Sequence, residues 1–583
     1  MTAVQGRHAL RPVVGTPETR RPVRWVGPAL AVTAIVCWVV GFRPVDPTTI
    51  GSFGLLPRLS PILVLAYPLL VAAFVVELRT GRTAVLTGIT VLAVFAVYGL
   101  QPAAEPAGRL PVAWLHTGFA DYINAHGAVL PNFDTRFSWP GFFALLALLI
   151  GASGLKDGSA LIIWAPVVLS GGAVLAVRAI ALAVFRRDRI AWLAAWIFLA
   201  GNWTEQDYLS PQGSSYLLLL AGLAVTFRYL SSVGPVDPIH KGQFRRPAVP
   251  AGSARDRLVA LGLVVLLAIA LAPTHQLSPY MLAGLLFVLA SCGRLWARWL
   301  PVAVLLAAVV WFVLGARDFW IGQLHIITGS LGDLGSSVND GLDKRLSANL
   351  GRESMLGVRI GLTCAVGALA GIGAIVLRRQ GKRSLTLVLM AVAAFGLAVA
   401  QPYGGEILIR CYLFALPLFA LLGAVVLDAL AGTRAWAVVA VGLAGLMLAV
   451  VTARGGNDAY VAFTRADIAV AQQAYARAGT GQRIDTVAAY APVSDWQRIG
   501  AVKQASLESS CVPFPDPQRC VLAAHPDFLV LNAAQDAYGR IYYGMPSGWT
   551  TALADQLVAS GKYQRVFRQD SSQLLELSSD VGR

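Results

Sequence analysis

Apolar segments of bilayer-spanning length recur along this chain almost from end to end, and they leave few folds open. A stretch such as "VGPALAVTAIVCWVVGF" has no water to satisfy its backbone inside lipid, so it must form a helix that bonds to itself. Of 583 residues, 56% are hydrophobic and only 13% charged, against roughly a quarter charged in soluble domains. The chain therefore reads as an all-α polytopic membrane protein. Its formal net charge of +16 then reads as topogenic charge on cytoplasmic loops rather than a nucleic-acid surface. No small-residue cleavage site follows the first apolar run, so a retained span is expected there, not a signal peptide.

Basic clusters mark the inside: Arg20/Arg21/Arg24, Arg79/Arg82, Arg186/Arg187/Arg189, Lys241 through Arg257, Arg294/Arg298, Arg378/Arg379/Lys382/Arg383 and Arg434. Spans are expected near 26–42, 59–77, 83–100, 160–185, 190–203, 214–231, 258–274, 278–293, 299–316, 357–377, 385–401, 411–429 and 435–453. A further apolar run, Trp139 to Gly154, is short and begins Trp-Pro. Counting it as a span would put the Arg186–Arg189 cluster outside, so it reads as an interfacial or re-entrant helix on the outer face. About thirteen spans then put the N-terminus inside and the C-terminus outside.

This divides the chain into a basic cytoplasmic segment at 1–25, a multi-span domain at 26–454 with outer loops at 101–159 and 317–356, and an extracytoplasmic soluble domain at 455–583. Short apolar segments such as "IDTVAAY" and "PDFLVLN" alternate with helical stretches in the last part, as in a small α/β domain. Cys511 and Cys520 lie there in polar, proline-bearing sequence, and a disulfide between them suits an oxidising outer compartment.

Four outer stretches carry ionisable groups at or near the membrane surface: His116–Phe143, "NWTEQDYLSPQG" at Asn202–Gly213, "APTHQLSPYML" at Ala272–Leu282, and Gln401–Pro417. Charge at that depth is costly unless solvated or paired, which makes it a candidate for function. The rival readings are an interfacial aromatic belt for Trp139, Trp203, Tyr208 and Tyr412, a satisfied turn residue for His275, and a snorkelling Arg410.

Taken together, these stretches resemble the GT-C superfamily of polytopic glycosyltransferases, which use lipid-phosphate-linked sugars. In "FADYINAHG…NFDTRFSWPGFF", Asp121 matches that family's catalytic acidic position and Asp134 its second acid, with Trp139-Pro140 entering the interfacial helix. Asp207 matches a later outer-loop acid, and Arg410 a late Arg-aromatic-Pro segment. Where such enzymes place an acidic pair, Asp121 stands alone after Ala120, and its loop follows the third span rather than the first.

The resemblance implies an inverting transfer of sugar from a polyprenyl-phosphate donor to a cell-envelope glycan, lipid or protein. Asp121 would be the base, with Asp134 orienting the acceptor or sharing the role. Arg410 would hold the leaving phosphate, helped by His275 and by Arg136 or Arg352. Glu205, Asp207, Tyr208 and Gln212 would line the cavity mouth, contacting sugar or acceptor or anchoring Arg410. A monophosphate donor needs no metal, so none is expected, although Asp121, Asp134, Glu205 and Asp207 would make a divalent-cation site if they converged. Competing classes are an O-antigen-ligase-like enzyme using a lipid diphosphate and outer arginines such as Arg317, Arg345 and Arg352, a lipid-linked-sugar transporter, and a scaffold for a partner of the outer domain.

Overall fold

A computed structural model describes residues 23–231, 249–250, 252–321, 349–400, 406–431, 435–492, 498–511 and 514–578. Most of the basic segment at 1–25, Lys241 and much of its loop, the centre of the loop at 317–356 with Arg345, Gln401 to Gly405, and Arg434 lie outside the described residues.

The apolar runs form helices. They are α1 (Val23–Gly41), α2 (Pro61–Thr80), α3 (Thr83–Tyr98), α4 (Leu100–Ala104), α5 (Pro111–His126), α6 (Gly141–Ser153), α7 (Ser159–Phe185), α8 (Asp188–Gly201), α9 (Pro211–Val225), α10 (Ala254–Leu271), α11 (Ser278–Ser291), α12 (Leu300–Val310), α13 (Leu350–Arg379), α14 (Leu385–Phe395), α15 (Ile407–Ala431) and α16 (Trp436–Arg454). Local sequence sets several starts. Ser60 and Ser210 accept hydrogen bonds from the Leu63 and Gly213 N–H groups, and the proline after each serine takes the first helical position, where its missing N–H costs nothing.

Six helices among the described residues are long and apolar enough to cross a membrane, and other apolar helices, including α3, α11 and α14, are shorter. Length and composition thus account for fewer spans than the thirteen expected. One reason is α8, only 14 residues long, yet buried from Ile190 to Gly201 at the centre of the bundle. There Trp196 stacks on Phe74 at 4.0 Å between ring centres and donates to the Thr90 hydroxyl at 3.0 Å. It is shielded by neighbouring helices rather than by lipid. By contrast, α6 is a 13-residue helix with Leu145, Leu148 and Leu149 more than half exposed along one side, apolar but shorter than the roughly 20 residues a span needs.

Helix ends gather at two poles. At one, Arg187 and Arg189 meet Asp428, Arg79 lies over Trp436, and Arg294 donates to Thr386. These are residues of the clusters assigned to the inside. At the other, Tyr98 donates to the Leu199 carbonyl, the Gly141 N–H to Pro273, and the Trp311 indole to Ser138.

Beyond α16, helices α17 (Arg465–Arg477), α18 (Ala533–Tyr543) and α19 (Trp549–Ala559) accompany strands β1 (Arg483–Thr486), β2 (Lys503–Ser506), β3 (Phe528–Leu531), β4 (Tyr563–Gln569) and β5 (Ser572–Leu577). The sheet order is β2-β1-β3-β5-β4, parallel across the first three strands and antiparallel across the last three. All four residues of β3 are buried, as a central strand covered on both faces requires. Cys511 is bonded to Cys520, with Cα atoms 5.6 Å apart.

Within the bundle, α13 and α15 touch backbone to backbone. A Cβ added at Gly373 would lie 1.9 Å from the Leu422 carbonyl oxygen, whereas one at Gly371 meets nothing within 4 Å. Gly373→Ala is therefore expected to cost about 1–3 kcal/mol through overpacking. It should lower the thermal unfolding midpoint of the purified protein in detergent, while Gly371→Ala leaves that midpoint unchanged or raises it.

Candidate functional site

The second pole holds the ionisable residues singled out in the sequence, sorted into three groups. The first is built on α5, whose apolar residues bury it against α6. His116, Phe119 and Asp121 are all buried on this helix. His116 donates from Nδ1 to the Leu209 carbonyl at 3.1 Å and stacks on Tyr208 at 5.9 Å. Burial first, then the charge of Arg136, lowers its pKa to about 3, leaving it neutral with Nε2 as acceptor. Asp121 accepts from the Gly158 N–H at 3.4 Å. Burial pushes its carboxyl up to about 7, and Asp157 adds to the rise against the Gly158 bond. Five residues turn a helix by about 140° beyond a full turn, so Asp121 faces the α6–α7 connection while His116 faces Tyr208.

Asp134 caps the turn at Thr135–Ser138. It accepts the Arg136 N–H at 2.8 Å and two guanidinium bonds from Arg136 at 2.8 and 2.6 Å. Burial alone would raise its carboxyl, but these bonds and the Arg136 charge hold it below the ordinary range. Asp134 also lines a cavity of about 310 Å³ whose walls include Phe133, Phe137, Asp318 and Phe319.

The second group centres on Arg410, 9% exposed in the first turn of α15. It pairs with Glu406 at 3.1 Å and donates to Gln212 Oε1 at 3.4 Å. The Gln212 amide nitrogen is buried with no hydrogen-bond partner among the described residues. His275 Nδ1 accepts from the Leu277 and Ser278 N–H groups, each at 3.2 Å. The residue therefore does close its turn, and Nε2 carries the proton. Burial, then Arg410, pushes its pKa well below the usual value. Tyr208 is pushed up to about 12 by burial and by Glu406, against the opposing charges of Arg410 and Arg136. Tyr208 thus feels the charges of both Arg136 and Arg410.

The third group departs from expectation. Glu205 and Asp207 do not anchor Arg410. Asp207 accepts from Ser170 at 2.5 Å and from Arg454 at 3.1 Å, and both ends of the latter pair are nearly inaccessible. Glu205 accepts from Arg109 at 2.8 Å and Asn457 at 3.4 Å, with Arg359 at 3.7 Å. These partners hold its backbone at φ 55°, a left-handed conformation that a non-glycine residue adopts only under constraint. Arg109 also binds Asp458, which accepts from Gln101 at 2.9 Å, and lies 3.8 Å from Glu105. Burial raises the Glu105 and Asp458 carboxyls above their ordinary values, and Arg109 opposes the rise in both. Water is so far excluded that each carboxylate needs a guanidinium, which is why these acids form a knot instead of a cavity rim.

Asp121, Asp207 and Arg410 are thus held by different partners: Gly158, the Ser170–Arg454 pair, and the Glu406–Gln212 pair. The four carboxylates considered for a cation do not converge, and no cluster of three or more His, Cys, Asp or Glu suited to a metal occurs among the described residues. Arg352 lies over Tyr542 of the sheet domain at 3.8 Å, away from the role considered for it. Sequence reasoning missed Glu105, Arg109, Arg359, Glu406, Arg454 and Asp458. Arg109, Arg359 and Arg454 carried a signal in being basic where the positive-inside pattern expects none.

No family model matches the chain, and no curated protein matches it. Among solved structures, ArnT from Cupriavidus metallidurans bound to undecaprenyl phosphate is 12% identical, with a TM-score of 0.48 over 86% of this chain and 99% of that one. The oligosaccharyltransferase AglB from Archaeoglobus fulgidus, in complex with an inhibitory peptide and a dolichol-phosphate, is also 12% identical, with a TM-score of 0.48 over 85% of this chain and 74% of that one. At such identities and TM-scores these are likenesses of chain path, and function is argued from the residues.

Removing one partner of a buried ion pair strands the other. Arg454→Gln should therefore destabilise the protein by about 3–5 kcal/mol, read as a lowered unfolding midpoint in detergent. Adding Asp207→Asn should recover much of the loss; no recovery would show that the two residues are not coupled.

Proposed function

We propose that this protein transfers a sugar from a polyprenyl-phosphate donor to a cell-envelope glycan, lipid or protein at the outer face of the cytoplasmic membrane. In this reading the N-terminus is cytoplasmic and the sheet domain extracytoplasmic. The sequence resemblance to GT-C glycosyltransferases motivates it. The observation that carries it is Arg410: a buried guanidinium at the head of a span, beside an unsatisfied amide on Gln212.

Transfer requires the bond between the anomeric carbon and the phosphate oxygen to break as an acceptor hydroxyl attacks and loses its proton. Charge builds on the departing phosphate. Arg410 supplies a fixed cation there, and the Gln212 amide and His275 Nε2–H supply neutral donors. Buried donors need no rearrangement as that charge develops. The span surfaces beside them are apolar, as the polyprenyl tail requires.

For the acceptor we assign Asp134 as the base, because it lines the cavity and its partner Arg136 shares the surroundings of His116 and Tyr208. The aromatic walls of that cavity offer faces to a sugar ring. Asp121, turned toward Gly158, is assigned to positioning α5 against the α6–α7 connection. No step needs a metal-neutralised diphosphate, and no nucleic acid takes part.

The two carboxylates leave different pH signatures. With Asp134 as base, the carboxylate is ionised throughout, and transfer should stay level between about pH 5 and 8. Asp121 as base would make the rate climb through about pH 7 as its proton leaves. In membranes supplied with a panel of polyprenyl-phosphate sugars, Asp134→Asn should lower transfer roughly 10²–10⁴-fold, and Asp121→Asn far less. Wild-type transfer by Asp134→Asn, or an acid limb near pH 7 that disappears in Asp121→Asn, would overturn the assignment.

A further inference from the structure

The opposite pole contains a second cavity that sugar transfer does not use. It measures about 250 Å³ and is lined by Arg187, Arg189, Lys382, Gln380 and Asp428, with apolar walls such as Phe185 and Leu377. At about 30 Å³ per water it has room for about eight waters, more than a single small ion needs. Three cations face one carboxylate, leaving an excess of two positive charges.

The arginines are fixed in place. Asp428 is 6% exposed and pairs with Arg187 at 3.1 Å and with Arg189 through its Nε. Arg189 also donates to the Asp428 carbonyl at 3.3 Å. One carboxylate cannot use all the N–H donors of two guanidinium groups, and the Arg187 side chain remains 55% exposed. The Lys382 ammonium has no ion-pair partner among the described residues. Topogenic charge needs only to lie on the correct side of the membrane. Here it is gathered from the α7–α8 turn and the segment after α13 around a pre-positioned buried acid.

We propose that this cavity is a binding site for the phosphate headgroup of an anionic phospholipid. The cations would take the phosphodiester, and the apolar wall, continuous with the spans, would receive the start of an acyl chain. That wall favours a lipid over a free phosphate. Basic pockets between span ends suit such headgroups. The site is independent of the sugar-transfer reading and of which leaflet this pole faces.

The test uses full-length protein, delipidated in detergent and reloaded with phosphatidylglycerol or phosphatidylcholine, with retained lipid counted by native mass spectrometry. The wild type should retain phosphatidylglycerol preferentially. Lys382→Gln breaks no ion pair and should still fold; it should weaken that retention about fivefold, the equivalent of about 1 kcal/mol, and Lys382→Arg should restore it. Equal retention of the two lipids, or an unaffected Lys382→Gln, would overturn the site. Displacement of phosphatidylglycerol by millimolar inorganic phosphate would overturn the lipid assignment in favour of a soluble anion.

Discussion

The structure depends on what it costs to keep a charge away from water. Along the spans the chain avoids that cost almost entirely by omitting charge. At the second pole it accepts the cost and offsets it by matching. Arg109 meets Glu205 and Asp458, Arg454 meets Asp207, Arg136 meets Asp134, and Arg410 meets Glu406. The basic pole mixes two arrangements: Arg82 meets Glu77 and Arg178 meets Asp188, but cations are in excess around Asp428. At that one cavity, unlike the second pole, part of the positive charge is left for solvent, lipid or ligand.

Matching also separates the second pole's residues by role. The Arg109 and Arg454 pairs are buried, and they join the segment between α4 and α5, the turn between α8 and α9, and the exit from α16. They hold elements at fixed distances. The Arg410 group retains unused donor capacity in the Gln212 amide, and Asp134 keeps one side toward a cavity. A rigid frame beside a small set of available donors and acceptors is what a transfer reaction between two bound substrates requires.

Much of this was legible in the residues. Hydropathy located the apolar helices, and the run set apart by its length, Trp139–Gly154, forms a helix of only 13 residues. Composition marked the sheet domain. Less legible was which acid meets which arginine. Glu205 and Asp207 are two residues apart, yet one pairs with Arg109 and the other with Arg454, separated from them by 96 and 247 positions. Such pairings follow from the folding of helix ends against one another, and no local pattern encodes them. The helical turn that separates Asp121 from His116 could have been counted in advance. The direction each side then faces depends on α6 and α9.

The chain changes composition near residue 455, but the structure is not divisible there. The Leu110 N–H bonds to the Val461 carbonyl, Arg109 holds Asp458, and Leu130 lies beside Gly500. The sheet domain is grafted through its first turns onto the same loops that frame the candidate site. It could not be exchanged as a module in recombination without loosening those loops, so the border drawn by hydropathy is a change of solvent rather than a seam between independent parts.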